Sequence, residues 1–283
     1  MKTVVKRTLS GATFIVLTVG AILAGASFSI SLFLIYALLT QRELYQILWH
    51  KEQTPPSFLQ WLGLLAGFGL YMSSAFWVYP FRTFSILVAT NIALVLLAFA
   101  VILLFFVGGW YVVVSRRPNP FLDWGKMLLG ICYVVLPFML VPPLSVMSPH
   151  RHVSWYLLLP LILTWINDTG AYCVGVPLGR HRLIERVSPG KSVEGFVGGL
   201  IFSMVGGALI AWLVDFRTPL FGALLGLVVG LVAVLGDLVE SKLKRSVEIK
   251  DSGTFLPGHG GFLDRFDSLI FVLPVAGLFS SLA

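Results

Sequence analysis

Asp237 and Glu240 stand three residues apart, and Asp264 and Asp267 repeat that spacing. On a helix the interval puts both acids of each pair on one face. The surrounding sequence is apolar, and an aspartate at the centre of a membrane helix costs about 2.5–3.5 kcal/mol. Two carboxylates about 4 Å apart repel by about 4 kcal/mol at an effective dielectric of about 20. Either a divalent cation offsets this, or the acids pair with Lys244, Arg245 or Arg265. Hard oxygen ligands without cysteine or paired histidine suit Mg2+ rather than Zn2+. Asp237 and Asp264 are the leading metal ligands, Asp168 and Asp267 are further candidates, and a second cation is compatible with that set.

Cations lie beside these acids: Lys191, Lys242, Lys244, Arg245 and Lys250. Acids for a metal and bases for phosphate oxygens, gathered in one place, are what phosphoryl or nucleotidyl transfer needs. The competing reading makes the lysines topology signals that meet anionic lipid heads. In Pro257-Gly258-His259-Gly260-Gly261 there is little side chain around one imidazole. Backbone N–H groups there could form an anion-binding nest, with His259 either donating to a phosphate or holding the turn. His50, His150, His152 and His181 read as loop residues, and Cys132 and Cys173 as free thiols in apolar segments.

The elements that must position these residues are membrane helices. The 283-residue chain is 57% apolar and 12% charged, with mean hydropathy +0.91, against about 25% charged in soluble domains. That excludes a single water-soluble core and predicts an all-α, polytopic integral membrane protein. Spans are expected at Leu9–Ala24, Ser27–Leu48, Leu59–Tyr79, Phe84–Val114, Gly125–Leu144, Val153–Val176, Val193–Val214, Pro219–Val239 and Ser268–Ala283. The first two come from one apolar run, divided at Gly25-Ala26-Ser27; Phe84–Val114 stays whole as a tilted or overhanging helix. Nine spans put 17 of the 20 lysines and arginines on one side, leaving Arg82, Arg151 and Arg217 on the other. An undivided first run would reduce that split to 14 against 6. The positive-inside rule then places the N-terminus and the acid-rich loop in the cytoplasm. Lys6-Arg7, the apolar run and Ala24-Gly25-Ala26 also resemble a cleavable secretory signal, which would leave the remaining topology unchanged.

The expected organisation is an N-terminal transmembrane region, 1–120, and a C-terminal catalytic region, 121–283, with a cytoplasmic loop at 240–267. Polar residues concentrate in the C-terminal half; before Asn167 the acids are Glu43, Glu52 and Asp123, all in or beside predicted loops. No internal repeat stands out, which argues against an ion-coupled transporter with broken helices in two matching halves. A CTP-dependent kinase of polyprenol-type lipids is the nearer alternative. No nucleic-acid partner is expected.

The run Ser241-x-Leu243-Lys244-Arg245-x4-Lys250-Asp251-x-Gly253-x2-Leu256-Pro257-x-His259-Gly260-Gly261-Phe262-x-Asp264-Arg265-Phe266-Asp267 resembles the signature of phosphatidate cytidylyltransferases, also called CDP-diacylglycerol synthases. Ser188–Gly195 and Asn167–Tyr172 resemble further elements of the bacterial members. The likeness is strong over roughly the last 120 residues, whereas the first 150 share only the hydrophobic pattern. It implies a Mg2+-dependent enzyme of the inner membrane joining CTP to phosphatidic acid, nine-spanning and homodimeric, with its site at the cytoplasmic face. By position it places the metal on Asp237 and Asp264. Lys244 and Arg245 are then expected to act in catalysis. Lys191, Ser192, Lys250, His259, Gly260, Gly261 and Arg265 are expected to bind the substrates.

Overall fold

The computed structural model describes residues 2–52, 55–78, 86–147, 153–253 and 260–282, with side chains from 11 onward except at 86 and 87. Packing divides the chain into two units. Met1–Val146 with Ser252–Leu263 forms the first, and Met147–Asp251 with Asp264–Ala283 the second.

In the first unit, α1 (Lys2–Ala24) and α2 (Ala26–Leu48) meet at Gly25, where φ is 118°. That conformation is open to glycine and strained for other residues, so the long apolar run breaks where expected. α3 is Ser57–Val78; α4 covers 86–114 and includes a π-helical stretch, Ile102–Val107. α5 follows from Pro120 to Val146, with a second π stretch, Ile131–Val135, and a turn at Met139 and Leu140 between the helical segments that carry Pro137 and Pro142-Pro143. Proline lacks the N–H that a regular helix needs. π segments disturb the ladder, and side chains from neighbouring helices can accept or donate there. Trp124 does so, donating from Nε1 to the Leu104 carbonyl at 2.9 Å.

The core of this unit is polar as well as apolar. Tyr45 is fully buried and donates to the Met127 carbonyl at 2.8 Å, while Gln41 donates to the Tyr45 hydroxyl at 3.0 Å and the Gly63 carbonyl at 2.9 Å. Trp49 donates to Asp123 at 2.9 Å, Asp123 takes Arg117 at 2.6 Å, and Glu52 holds both Arg117 and Lys126. In an apolar medium each such group must be satisfied internally. Glu43, expected in or beside a loop, is instead a buried member of α2.

The second unit begins with α6 (Trp155–Leu178) and a two-stranded antiparallel hairpin, β1 (Arg182–Ile184) and β2 (Ser188–Ser192). α7 (Val193–Leu213), α8 (Pro219–Ser246) and α9 (Leu263–Ser281) follow. α7 and α8 approach through small residues. A Cβ on Gly207 would lie 2.1 Å from the Gly222 carbonyl oxygen, and one on Gly226 would lie 2.1 Å from that of Ser203. Small residues that admit close backbone approach are the usual packing device inside a bilayer. Thr218 caps α8 by accepting from the Phe221 N–H at 3.1 Å.

The protein is an all-α integral membrane protein carrying one small hairpin. Six of its described helices are long and apolar enough to cross a bilayer: Ser57–Val78, Val88–Val114, Pro120–Val146, Trp155–Leu178, Val193–Leu213 and Pro219–Ser246. The other three expected spans are also helical; the apolar part of α1, Gly11–Ala24, is shorter.

Candidate active site

α8 continues helically to Ser246, past the point where a loop was expected to begin. Between Asp237 and Ser246 stand good helix formers and no glycine or proline. Asp237, Glu240, Ser241 and Lys244 consequently share one stripe, spaced i, i+3, i+4 and i+7. The last turn carries Lys244 and Arg245, which complement the negative end of the helix dipole. α9 brings Asp264 and Asp267 on its first turn and a half, and Gly236 permits the approach: a Cβ there would sit 2.5 Å from the Asp267 carbonyl oxygen.

Asp237, Glu240 and Asp267 each offer a carboxylate oxygen within 4.8 Å of the others. Glu240 is fully buried, and neither of its oxygens accepts a hydrogen bond of good geometry. The Lys244 ammonium lies 2.5 Å from Glu240 Oε2 and 2.7 Å from Asp264 Oδ1. Lys191, from β2, pairs with Asp237 Oδ2, and the Ser241 hydroxyl donates to Asp237 Oδ1 at 3.2 Å. Asp267 accepts from the Ser268 N–H at 2.5 Å. Asp168, on α6, lies within electrostatic range of Asp237 and Lys191.

Asp237 and Asp264 were the leading expected ligands, with Asp168 and Asp267 as further candidates. Asp267 lies in the close trio with Asp237 and Glu240, and Asp264, one helical turn earlier, is engaged by Lys244. The pairing of these acids with Lys244 is present, and beside it three carboxylates lie close enough to share a cation. Five carboxylates (Asp168, Asp237, Glu240, Asp264 and Asp267) gather with Lys191, Lys244 and Arg265. That leaves a formal charge of −2 among these residues. The excess negative charge, the oxygen-only donor set and the burial of Glu240 with Lys244 as its one named counter-charge fit a divalent cation.

A cavity of about 630 Å³ opens beside the acids, lined among others by Asn167, Asp168, Arg182, Lys191, Ser192 and Asp237. That is within the range of about 300–1,000 Å³ usual for small-ligand sites. The hairpin forms part of its wall. Glu194, at the start of α7, secures the hairpin's entry by accepting from the Arg180 N–H at 3.1 Å and pairing with His181 Nδ1 at 2.6 Å. Gly175 and Gly195 let α6 and α7 touch below it.

The other expected residues fall as follows. Ser192 is spent locally as the N-cap of α7, accepting from the Gly195 N–H at 3.1 Å. Arg245 is exposed and donates to the Ile249 carbonyl at 3.2 Å, and Lys250 is exposed. Arg265 is exposed on the first turn of α9. Gly260 has φ 79°, and Gly261 packs against Glu43 in the first unit. His259, with 254–258, lies outside the described residues. Glu240 was paired with Asp237 from the sequence but not assigned as a ligand, and Arg182 was not among the expected site residues. The i+3 spacing from Asp237 was the signal for Glu240; nothing local marks Arg182.

The model of the cytidylyltransferase family matches residues 5–283. Curated relatives bear the name phosphatidate cytidylyltransferase. The protein from Staphylococcus saprophyticus subsp. saprophyticus is 43% identical over 169 residues, 59% of this chain and 63% of that protein. Those from Staphylococcus aureus (strain COL) and Staphylococcus epidermidis are 42% identical over 170 residues and 38% over 169, again 59% of this chain and 63% of theirs. The matched stretch thus spans less than two thirds of the length of these relatives.

Proposed function

The chain belongs to the cytidylyltransferase family, and from that premise we propose that it transfers CMP from CTP to phosphatidic acid, giving CDP-diacylglycerol and pyrophosphate. The observation that carries this reading is the trio Asp237, Glu240 and Asp267, set with Lys191 and Lys244 beside a cavity in a membrane-embedded helix cluster. A soluble nucleotide and a lipid headgroup can meet there.

A phosphate oxygen of phosphatidic acid attacks the α-phosphorus of CTP. One P–O bond forms there, the bond from the α-phosphorus to the β-bridging oxygen breaks, and pyrophosphate departs with the bonding pair. The substrate supplies the nucleophile, so no protein nucleophile is needed. Lys191 and Arg182, on the cavity wall, bind triphosphate oxygens, with Lys191 exchanging Asp237 for phosphate. Lys244 holds Glu240 and Asp264 in register and keeps positive charge next to the reacting phosphates. Asp237, Glu240 and Asp267 would hold Mg2+, with Asp168 and Asp264 flanking them; such an ion would supply charge neutralisation for the phosphates and the leaving pyrophosphate. Arg245, Lys250 and Arg265 offer further cations to the lipid headgroup or the nucleotide, and His259 and Gly260 belong to the same signature.

The reading includes a multi-pass protein of the inner membrane, with the site and the N-terminus on the cytoplasmic side, as the bias of basic residues supports. A homodimer belongs to it through the family resemblance. The test is incubation of the purified chain with phosphatidic acid, Mg2+ and CTP labelled at the α-phosphorus. Label is expected in the lipid, with one pyrophosphate per lipid product and no turnover after chelation by EDTA. Label retained in CDP would assign a kinase, and no turnover would remove the reading.

A further inference from the structure

Glu43 is a charged residue buried in the first unit, only 8% exposed, near the end of α2. Its Oε2 accepts from the Ser252 hydroxyl at 3.0 Å and from the Leu263 N–H at 2.9 Å. These partners lie 209 and 220 residues along the chain. Two glycines wrap the same carboxylate. A Cβ on Gly253 would come 2.8 Å from Oε1; one on Gly261 would come 2.2 Å from Oε2 and 2.3 Å from Ser252 Oγ. Both glycines belong to the run that resembles a family signature, and the sequence alone suggested an anion nest for Gly261. Contact with Glu43 accounts for the missing side chains of both.

We propose that Glu43 is a positioning residue for the transfer reaction: it ties residue 252 to residue 263 and caps the helix that carries Asp264 and Asp267. Leu263 is the first residue of α9. An N–H in that turn has no acceptor within its own helix, and a carboxylate there also meets the positive end of the dipole. A carboxylate removed from water is costly unless it is fully hydrogen-bonded, so its place here is tightly specified. Asp264 and Asp267 follow Leu263 by one and four residues, and a displacement of about 1 Å at a reacting centre can cost about 100-fold in rate. Glu43 contacts no substrate in this scheme and acts through the start of α9. The inference rests on the cytidylyl-transfer reading above.

Four variants of the full chain test it: Glu43→Gln, Glu43→Ala, Gly261→Ala and the Glu43→Ala/Gly261→Ala double variant. Glu43→Ala is expected to lower kcat about 100-fold and to leave the KM for CTP little changed. Glu43→Gln keeps an acceptor oxygen and is expected to recover most of the rate. Gly261→Ala should be harmful alone and should add less than its full loss in the Glu43→Ala background, where the carboxylate is gone and only the Ser252 hydroxyl stands in the way of the new methyl group. Independently of catalysis, the Leu263 amide should exchange its hydrogen at least about tenfold faster in Glu43→Ala. Losses that add in the double variant, or an unchanged Leu263 amide, would overturn the proposal. If Glu43→Ala does not fold, Gly261→Ala, which pushes the carboxylate aside, carries the same exchange measurement. If the wild-type chain makes no CDP-diacylglycerol, the functional reading fails while amide exchange still decides the anchoring role.

Discussion

Lys244 places its ammonium 2.7 Å from Asp264, joining α8 to α9, and the same nitrogen lies 2.5 Å from Glu240 one turn back on its own helix. Of the roles weighed for Lys244 from the sequence (phosphate ligand, topology signal or partner of the acids), the structure shows the last: it is the counter-charge of the acid cluster. Lys244 is 13% exposed at its side chain and Glu240 is fully buried.

Removing one partner of a buried pair is the costly change, because the remaining charge is left uncompensated. Lys244→Ala should lower stability by about 3 kcal/mol and abolish turnover even at saturating CTP. Thermal unfolding in detergent and a CTP titration read the two effects separately. An unchanged midpoint with full activity would return Lys244 to a topology role.

The close seam between α7 and α8 makes a second prediction. Gly207→Ala would push a methyl group against the Gly222 carbonyl and should cost about 1–3 kcal/mol through overpacking. At Gly109 a Cβ meets nothing within 4 Å. Gly109→Ala should therefore be neutral or stabilise by up to about 1 kcal/mol, since alanine is the better helix former. Thermal midpoints of the two variants in one detergent check the contrast, and equal losses would refute the packing account.

Much of this arrangement is legible in sequence. The 20-residue apolar periods and the glycine at position 25 predict where helices run and where the first two part. The concentration of Asp237, Glu240, Asp264 and Asp267 near cations predicts the place of the acid cluster. Their common i,i+3 spacing could not decide which acid of α9 joins Asp237, because both face the same way. Orientation about the helix axis decides it, and that is set by packing such as the approach at Gly236.

Other features leave little local trace. The hairpin Arg182–Ser192 has three- and five-residue strands with no apolar alternation, so its period is unreadable. The extension of α8 to Ser246 is masked by its charges, which look like a loop in an otherwise apolar chain. Glu43 looked like a loop acid because its partners, Ser252 and Leu263, are more than 200 residues away. Long-range pairing of this kind is invisible to patterns read over a single turn.

The central claim is that Asp237, Glu240 and Asp267 together hold a divalent cation. Titration of the purified chain with Mn2+, followed by the electron paramagnetic resonance signal of the free ion, tests it directly. The account predicts saturable binding in the wild-type chain, weakened at least about tenfold, or about 1.4 kcal/mol, in each of Asp237→Asn, Glu240→Gln and Asp267→Asn. Wild-type affinity in all three variants would contradict it.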